Sequence, residues 1–235
     1  MTVDFQGSLL DLADAETDGP EQARLGPLAG PSAGTVSAGT VSAGTVPAGA
    51  VRRDELTCGA WVDVRPGWLT QAADLFARLV DAVPWRAERR EMYDRVVDVP
   101  RLLCFYGEED VLPDPVLQQC RDQLSAHYRR QLGEAFVTAG LCLYRDGRDS
   151  VAWHGDTIGR GSREDTMVAI VSLGLPRALM LRPRGGGPGR RYELGHGDLI
   201  VMGGSCQRTW EHAVPKTART VGPRISVQFR PRGVR

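Results

Sequence analysis

The chain has a single lysine, Lys216, in 235 residues, so its positive charge is almost all arginine. A GC-rich codon bias is the plain cause; a preference for the planar guanidinium fork at phosphates is the other. Charge of one sign is also lacking, since 29 basic residues face 29 acidic ones. That removes any global electrostatic reason to bind nucleic acid or a membrane surface and leaves only local faces. No C-x-x-C pair occurs, and the five cysteines are odd in number and widely spaced. This argues against a disulfide framework or a zinc knuckle and for reduced thiols. No apolar run approaches the roughly 18 residues of a membrane span. The N-terminus is acidic and has no charged-then-apolar leader pattern. The expectation is a cytoplasmic, monomeric protein.

Hydrophobic residues make up 42% of the chain, enough for one ordinary domain plus a tail. The tail is at the front. Phe5 to Leu12 can form one short turn. After Pro20 the composition collapses, and Ser-Ala-Gly-Thr-Val recurs from Ser32, Ser37 and Ser42. So small a repeat buries almost nothing and cannot offset its ordering entropy, so residues 1–50 read as a flexible segment.

Order resumes near Val51. A strand is expected over 60–64 and a helix over 69–83, with Ala72, Leu75, Phe76, Leu79, Val80 and Val83 at helical spacing and Pro84 as its stop. Trp85 reads as a packing residue. Arg86, Arg89 and Arg90 form a basic run that is either solvated or turned to phosphate. A strand over 99–107 and an acidic loop over 108–115 precede a second helix over 116–132. In that helix Val116, Leu117, Cys120, Leu124 and Tyr128 share a side, and His127 reads as a surface histidine. Beyond Phe136 the pattern changes to eight short apolar strands split by glycine-rich turns: 137–144, 150–154, 167–173, 178–182, 191–194, 198–202, 209–213 and 224–230. This predicts an α+β fold ending in an antiparallel sandwich or jelly roll. The parts are 1–50, 51–135 with both helices, and 136–235 with the eight strands.

Within those strands, Val151-Ala-Trp-His-Gly-Asp156 sets His154 and Asp156 two residues apart, on one side of a strand. A third donor, His212, follows far downstream in Trp210-Glu-His-Ala-Val-Pro-Lys216. Two histidines and one carboxylate are the ligand set of non-haem Fe(II) oxygenases, which leave the remaining positions open. Arg224-Ile-Ser-Val-Gln-Phe-Arg230 is then an alternating strand with an arginine at each end, both on one face. Guanidinium forks pair with carboxylates, so the whole reads as iron plus a dicarboxylate co-substrate, 2-oxoglutarate.

From Pro100 to Arg230 the chain resembles the AlkB family of Fe(II)/2-oxoglutarate-dependent dioxygenases of alkylated-DNA repair. The likeness is carried by Pro100-Arg101 with Phe105-Tyr-Gly-Glu108, by Leu143-Tyr-Arg-Asp-Gly-Arg-Asp-Ser-Val-Ala-Trp-His-Gly-Asp156, by Gly197-Asp-Leu-Ile-Val-Met202, by Trp210 to Lys216 and by Pro223 to Arg230. It implies a double-stranded β-helix (jelly roll) with N-terminal helices packed on one sheet, residues 51–135 being a helical and nucleotide-recognition part and 136–235 the jelly-roll core. It implies that His154, Asp156 and His212 ligate Fe(II). It implies that Arg224, helped by Tyr144, binds the distal carboxylate of 2-oxoglutarate, and that Arg230 lies near the chelating carboxylate. The implied activity is removal of N-alkyl lesions, of the 1-methyladenine and 3-methylcytosine type, from DNA, with RNA left open as a second polymer, using Fe(II), O₂ and 2-oxoglutarate and releasing formaldehyde, succinate and CO₂. Phe105 or Tyr106 would stack on the extruded base. Arg101 and Arg160, with Arg86, Arg89, Arg90 and Arg163, would meet phosphates.

Two positions depart from the family. Cys142 stands where members commonly have an asparagine, and a thiol is a poor hydrogen-bonding replacement. Thr157-Ile158 stands where an acid often contacts the damaged base, and Ile158 can accept no hydrogen bond; Arg160, Arg163, Glu164 and Asp165 in the next loop are the candidates to read the base instead. An oxygenase acting on a protein or small molecule, and a non-catalytic nucleic-acid-binding module, are the competing readings. Replacing His154 or Asp156 by alanine is expected to abolish turnover with the fold intact.

Overall fold

Alternation decides the architecture: nearly every long strand carries apolar side chains on both faces, so both faces are covered. The computed structural model describes residues 51–92 and 95–234, with only the backbone described over 89–92 and 95–98. The terminal turn and the Ser-Ala-Gly-Thr-Val repeats lie outside the described residues. In chain order the elements are β1 (Arg52–Glu55), β2 (Ala60–Arg65), α1 (Ala72–Ala82), β3 (Arg86–Met92), β4 (Arg95–Tyr106), α2 (Pro115–Leu132), β5 (Phe136–Tyr144), β6 (Val151–His154), β7 (Val168–Gly174), β8 (Arg177–Pro183), β9 (Arg190–Leu194), β10 (Asp198–Gly204), α3 (Cys206–Thr209), β11 (Trp210–Val214) and β12 (Arg224–Pro231). All eight strands expected after Phe136 are present.

Two sheets face each other, one ordered β1-β2-β10-β7-β12-β5-β4-β3 and the other β6-β11-β8-β9. Leu102 and Cys104 of β4, Leu141 and Leu143 of β5, and Ile225, Val227 and Phe229 of β12 point away from the small sheet. They form one core with Leu75 and Leu79 of α1 and Leu117, Cys120 and Leu124 of α2. The alternate residues point inward: Leu103, Cys142, Tyr144, Val168 and Ile170 meet Leu179, Leu181, Leu194 and Trp210 of the small sheet in a second core. This is the expected jelly roll with helices on one sheet.

Local chemistry sets the helix ends. Asp114 Oδ1 accepts from the Val116 N–H at 2.8 Å, Pro115 fills the first turn, and Gly133 ends α2 in the left-handed region at φ 78°. Helix α1 starts three residues later than its apolar spacing suggested, because the Leu69 N–H donates to Gly197 O at 2.9 Å, tying that residue to a neighbouring turn. Trp85 is a core residue, 8% exposed, and His127 is exposed. Strands β1 and β3 were not legible in advance. Both are short, charged edge strands without an apolar face, which is how sheets blunt their margins. The basic run 86–90 is thus one arm of a hairpin with β4. Because β2 pairs with β10 and β4 with β5, strands from before residue 135 flank those from after it at both margins of one sheet.

A clasp joins β1 and β2 to α2. Buried Asp63 accepts from Arg53 Nε and Nη2 at 2.6 and 2.7 Å and from the Tyr128 hydroxyl at 2.9 Å. The Arg53 guanidinium lies 3.7 Å over the Trp61 ring. That ring crosses its strand partner Gly203, where a β-carbon would overlap the indole. Gly203→Ala is therefore expected to cost about 1–3 kcal/mol by overpacking, read as a lower urea midpoint with unchanged slope; a wild-type midpoint would mean the indole is not held there.

Candidate metal centre

Pairing of β6 with β11 sets His154 directly opposite His212, with ring centroids 4.2 Å apart. Asp156 follows two residues after His154, beyond the strand end. Its backbone N–H donates to Gln207 Oε1 of α3 at 2.9 Å. Gly155 between them is required, since a β-carbon there would run into Gln207 O. His154, Asp156 and His212 are all buried, and one donor atom from each lies within 4.8 Å of the others.

The charge states follow from the neighbours. Ala152 O, 2.8 Å from His154 Nδ1, can only accept, so Nδ1 carries the hydrogen and Nε2 keeps its lone pair, 3.9 Å from Asp156 Oδ1. Burial lowers the His154 pKa, and burial together with the neighbouring His154 brings His212 down to about 3. Burial would raise Asp156, but the Arg230 guanidinium and the two imidazoles outweigh it and hold the carboxyl at about 2. At neutral pH the site presents two neutral imidazoles and one carboxylate.

Beside it lies a cavity walled by Tyr144, Arg224, Ser226 and Gln228 as well as both histidines. The positions 224, 226, 228 and 230 on β12 all face inward, as their even spacing requires. Arg224 is 1% exposed, donates Nε to Ser172 Oγ at 2.9 Å, and sits 5.4 Å over the Tyr144 ring. Arg230 donates Nε to Asp156 Oδ2 at 2.6 Å and Nη2 to Gln228 Oε1 at 2.8 Å. The Gln228 amide NH₂ lies 3.3 Å from Ser226 Oγ and 3.4 Å from Cys142 Sγ. The Cys142 thiol is thus already engaged by a neighbouring amide.

Residues 62–230 match the family described as the 2OG-Fe(II) oxygenase superfamily. The chain is 31% identical over 183 residues to the human DNA oxidative demethylase ALKBH2, covering 68% of each protein. The chain belongs to the AlkB family of these oxygenases. It is also 30% identical over 192 residues to the bovine alpha-ketoglutarate-dependent dioxygenase alkB homolog 3, covering 74% of this chain and 64% of that protein. The human alkB homolog 3 matches at 30% over 186 residues, with 64% of its length covered. The chain thus spans just under two thirds of these homologs.

The AlkB family implies Fe(II) and 2-oxoglutarate, and the residues fit both. Among the described residues Asp156 Oδ1 is buried with no hydrogen-bond partner, although Oδ2 is taken by Arg230; an unpartnered carboxylate oxygen between two imidazole nitrogens is a cation seat. Arg230 Nη1 is likewise buried and unpartnered, so a donor is left over for an anion.

Other expected contacts lie elsewhere. Arg101 is 7% exposed inside the cavity, so it cannot meet a phosphate on the surface. Arg160 is held by Glu134 and, at 3.6 Å, by Glu164, which occupies both the arginine expected at phosphate and an acid expected to read the base. Asp165 pairs with Arg208 at 2.6 Å, and Arg163 is exposed. Arg86 is exposed, and the side chains of Arg89 and Arg90 lie outside the described residues. Phe105 packs on the inner core and Tyr106 on the helix side, so only Phe105 is on the face that carries the site. Gln207 and Ser172 had no local signal in the sequence. Gln228 did, since it shares the inward face of β12 with both arginines.

One earlier expectation changes. Removing Asp156 strands the buried Arg230 guanidinium, so Asp156→Ala should cost about 3–5 kcal/mol of stability as well as the metal. His154→Ala leaves that ion pair intact and is the cleaner loss-of-metal variant. Denaturant melts and Mn(II) titrations of both should show equal loss of metal but unequal loss of stability; equal stability would contradict the ion pair's role.

Proposed function

We propose that this protein is an oxidative demethylase that removes N-alkyl groups, of the 1-methyladenine and 3-methylcytosine type, from DNA. The observation that carries it is the buried His154, Asp156 and His212 triad opening on the same cavity as Arg224. The relative named DNA oxidative demethylase supports the substrate class. His154 Nε2, Asp156 Oδ1 and His212 would hold Fe(II). Bound iron would supply the oxidation: O₂ is consumed, one oxygen atom going to 2-oxoglutarate, which leaves as succinate and CO₂, and the other to the N-methyl group, which is lost as formaldehyde. The chain's own residues do the rest. Arg224 and Tyr144 would seat the distal carboxylate, and Arg230 Nη1 is free to donate to the carboxylate nearer the metal. Arg230 Nε also locks Asp156 with one oxygen turned to the ion. Burial of both imidazoles keeps them neutral and keeps water from the reacting centre. Phe105, with His154 opposite, would sandwich an extruded base, which methylation makes cheaper to unpair.

A second reading has its own observation. Ile158 offers no acceptor, and Arg160, Glu164 and Asp165 are committed to ion pairs, so this loop gives little with which to read a base. That favours an oxygenase of a protein or small molecule. A cytoplasmic, monomeric enzyme stays part of the proposal; the five unpaired cysteines accord with a reducing compartment.

Mass spectrometry of oligonucleotides carrying 1-methyladenine, 3-methylcytosine or ethenoadenine, after incubation with iron, ascorbate and 2-oxoglutarate, tests the function. Mass loss is expected, with formaldehyde released from the methylated bases and glyoxal from ethenoadenine. Succinate production without any oligonucleotide turnover would move the assignment to another substrate, and no succinate would end it. In the same assay Phe105→Leu, which removes the π-face but keeps apolar bulk, should lower kcat/KM by about tenfold or more. Tyr106→Leu should leave kcat/KM within about threefold, because its ring is on the helix side; the reverse pattern would exchange their roles.

A further inference from the structure

Three guanidinium groups are buried around Tyr144, and their surroundings differ. Arg177 is fully occupied with carbonyls, donating to Asp146 O, Asp149 O and Pro215 O at 2.8, 2.8 and 2.9 Å. It is a structural cross-brace. Arg224 gives Nε to a hydroxyl, Ser172 Oγ. Arg101 gives Nη1 to Ser150 O at 3.1 Å, lies against the Cys142 thiol, and keeps its Nε buried without a partner. Both Arg101 and Arg224 line the cavity that also contains His154 and His212.

Register explains the arrangement. Strands β4 and β5 pair through Leu102 and Leu143, and continuing that ladder by one residue sets Arg101 beside Tyr144. Tyr144 in turn pairs with Arg224 of β12. Arg101, Tyr144 and Arg224 therefore make one row across three strands, on the inward face. Burying one guanidinium without an anion is costly, and two facing one cavity also repel each other. Glu88 of β3 offsets part of the Arg101 charge, yet no carboxylate lines the cavity that both forks face, and an anion there would relieve the repulsion. A carboxylate, with two oxygens and about four lone-pair sites, can accept from both forks.

We propose that Arg101 is a second anchor for the distal carboxylate of 2-oxoglutarate, sharing it with Arg224. This rests on the function proposed above only in requiring 2-oxoglutarate as the co-substrate. The alternative role for Arg101 is purely structural: its bond to Ser150 O would hold the chain entering β6.

Calorimetric titration of the Mn(II)-loaded full chain with two 2-oxo acids separates these roles. 2-Oxoglutarate has the distal carboxylate; 2-oxopentanoate has the same chelating end and lacks it. Arg101→Met should weaken 2-oxoglutarate by about ten- to a hundredfold while 2-oxopentanoate and Mn(II) stay within about threefold of wild type. Arg101→Lys, which keeps a cation but loses the fork, should give a smaller loss confined to 2-oxoglutarate, and serves if the methionine variant does not fold. Equal weakening of both acids, or wild-type binding of 2-oxoglutarate by a folded variant, overturns the role of Arg101 alone. Failure of the wild-type protein to bind 2-oxoglutarate overturns the proposed function with it.

Discussion

The contact on which the site depends is the buried ion pair between Arg230 and Asp156, at 2.6 Å. Asp156 follows β6 of the small sheet, and Arg230 is near the end of β12 in the large sheet. The pair therefore fixes the two layers of the jelly roll against each other where the donors converge. Both partners are almost fully buried, so desolvation takes back much of the Coulombic gain. Its value is directional. Nε occupies Oδ2 and leaves Oδ1 turned toward the two imidazoles, while Nη2 is anchored on Gln228 and Nη1 remains available. One guanidinium thus orients a candidate metal ligand and presents a donor to whatever binds beside it.

The rest of the arrangement follows from a period of two. On β12, Ile225, Val227 and Phe229 pack under the helices, while Arg224, Ser226 and Gln228 face the cavity and Arg230, on the same face, meets Asp156. On β5 the same split separates Leu141 and Leu143 from Cys142 and Tyr144. On β4 it separates Tyr106 from Phe105. A single-residue slip in any of these ladders would exchange polar and apolar faces, burying arginine under the helices and emptying the cavity of charge. The helix-side core is thus what enforces the register of the site.

This is why so much was legible in the sequence. The spacing of His154 and Asp156, the two arginines of β12 and the eight downstream strands are all alternation signals, and alternation is enforced by burial. What was missed depends on contacts between distant segments. Nothing local marks Gln207 as the acceptor for the Asp156 N–H, or Ser172 as the partner of Arg224. Arg101 reads as a surface cation because arginine usually is one; only the pairing of β4 with β5 turns it inward. Strands β1 and β3 escaped because edge strands need no apolar pattern. The ion pair of Arg160 was not legible for a related reason: Glu134, far off in the chain, supplies its carboxylate.

Charge closes the account of the site. Asp156 and Arg230 cancel, and the two histidines are neutral, so the triad together with Arg230 carries no net charge. Arg224 and Arg101 add two buried positive charges to the cavity; Glu88 acts on Arg101, but no carboxylate lines the cavity itself. A divalent cation at the triad would raise the local excess further. Chloride or water would satisfy such a field poorly, since neither spans from the metal seat to the far arginines. On the proposed roles, a dianion with carboxylates at both ends would answer Arg230 at one end and the Arg101 to Arg224 row at the other. A monocarboxylate would leave one of these ends unanswered, which is the physical basis for selecting between the two acids.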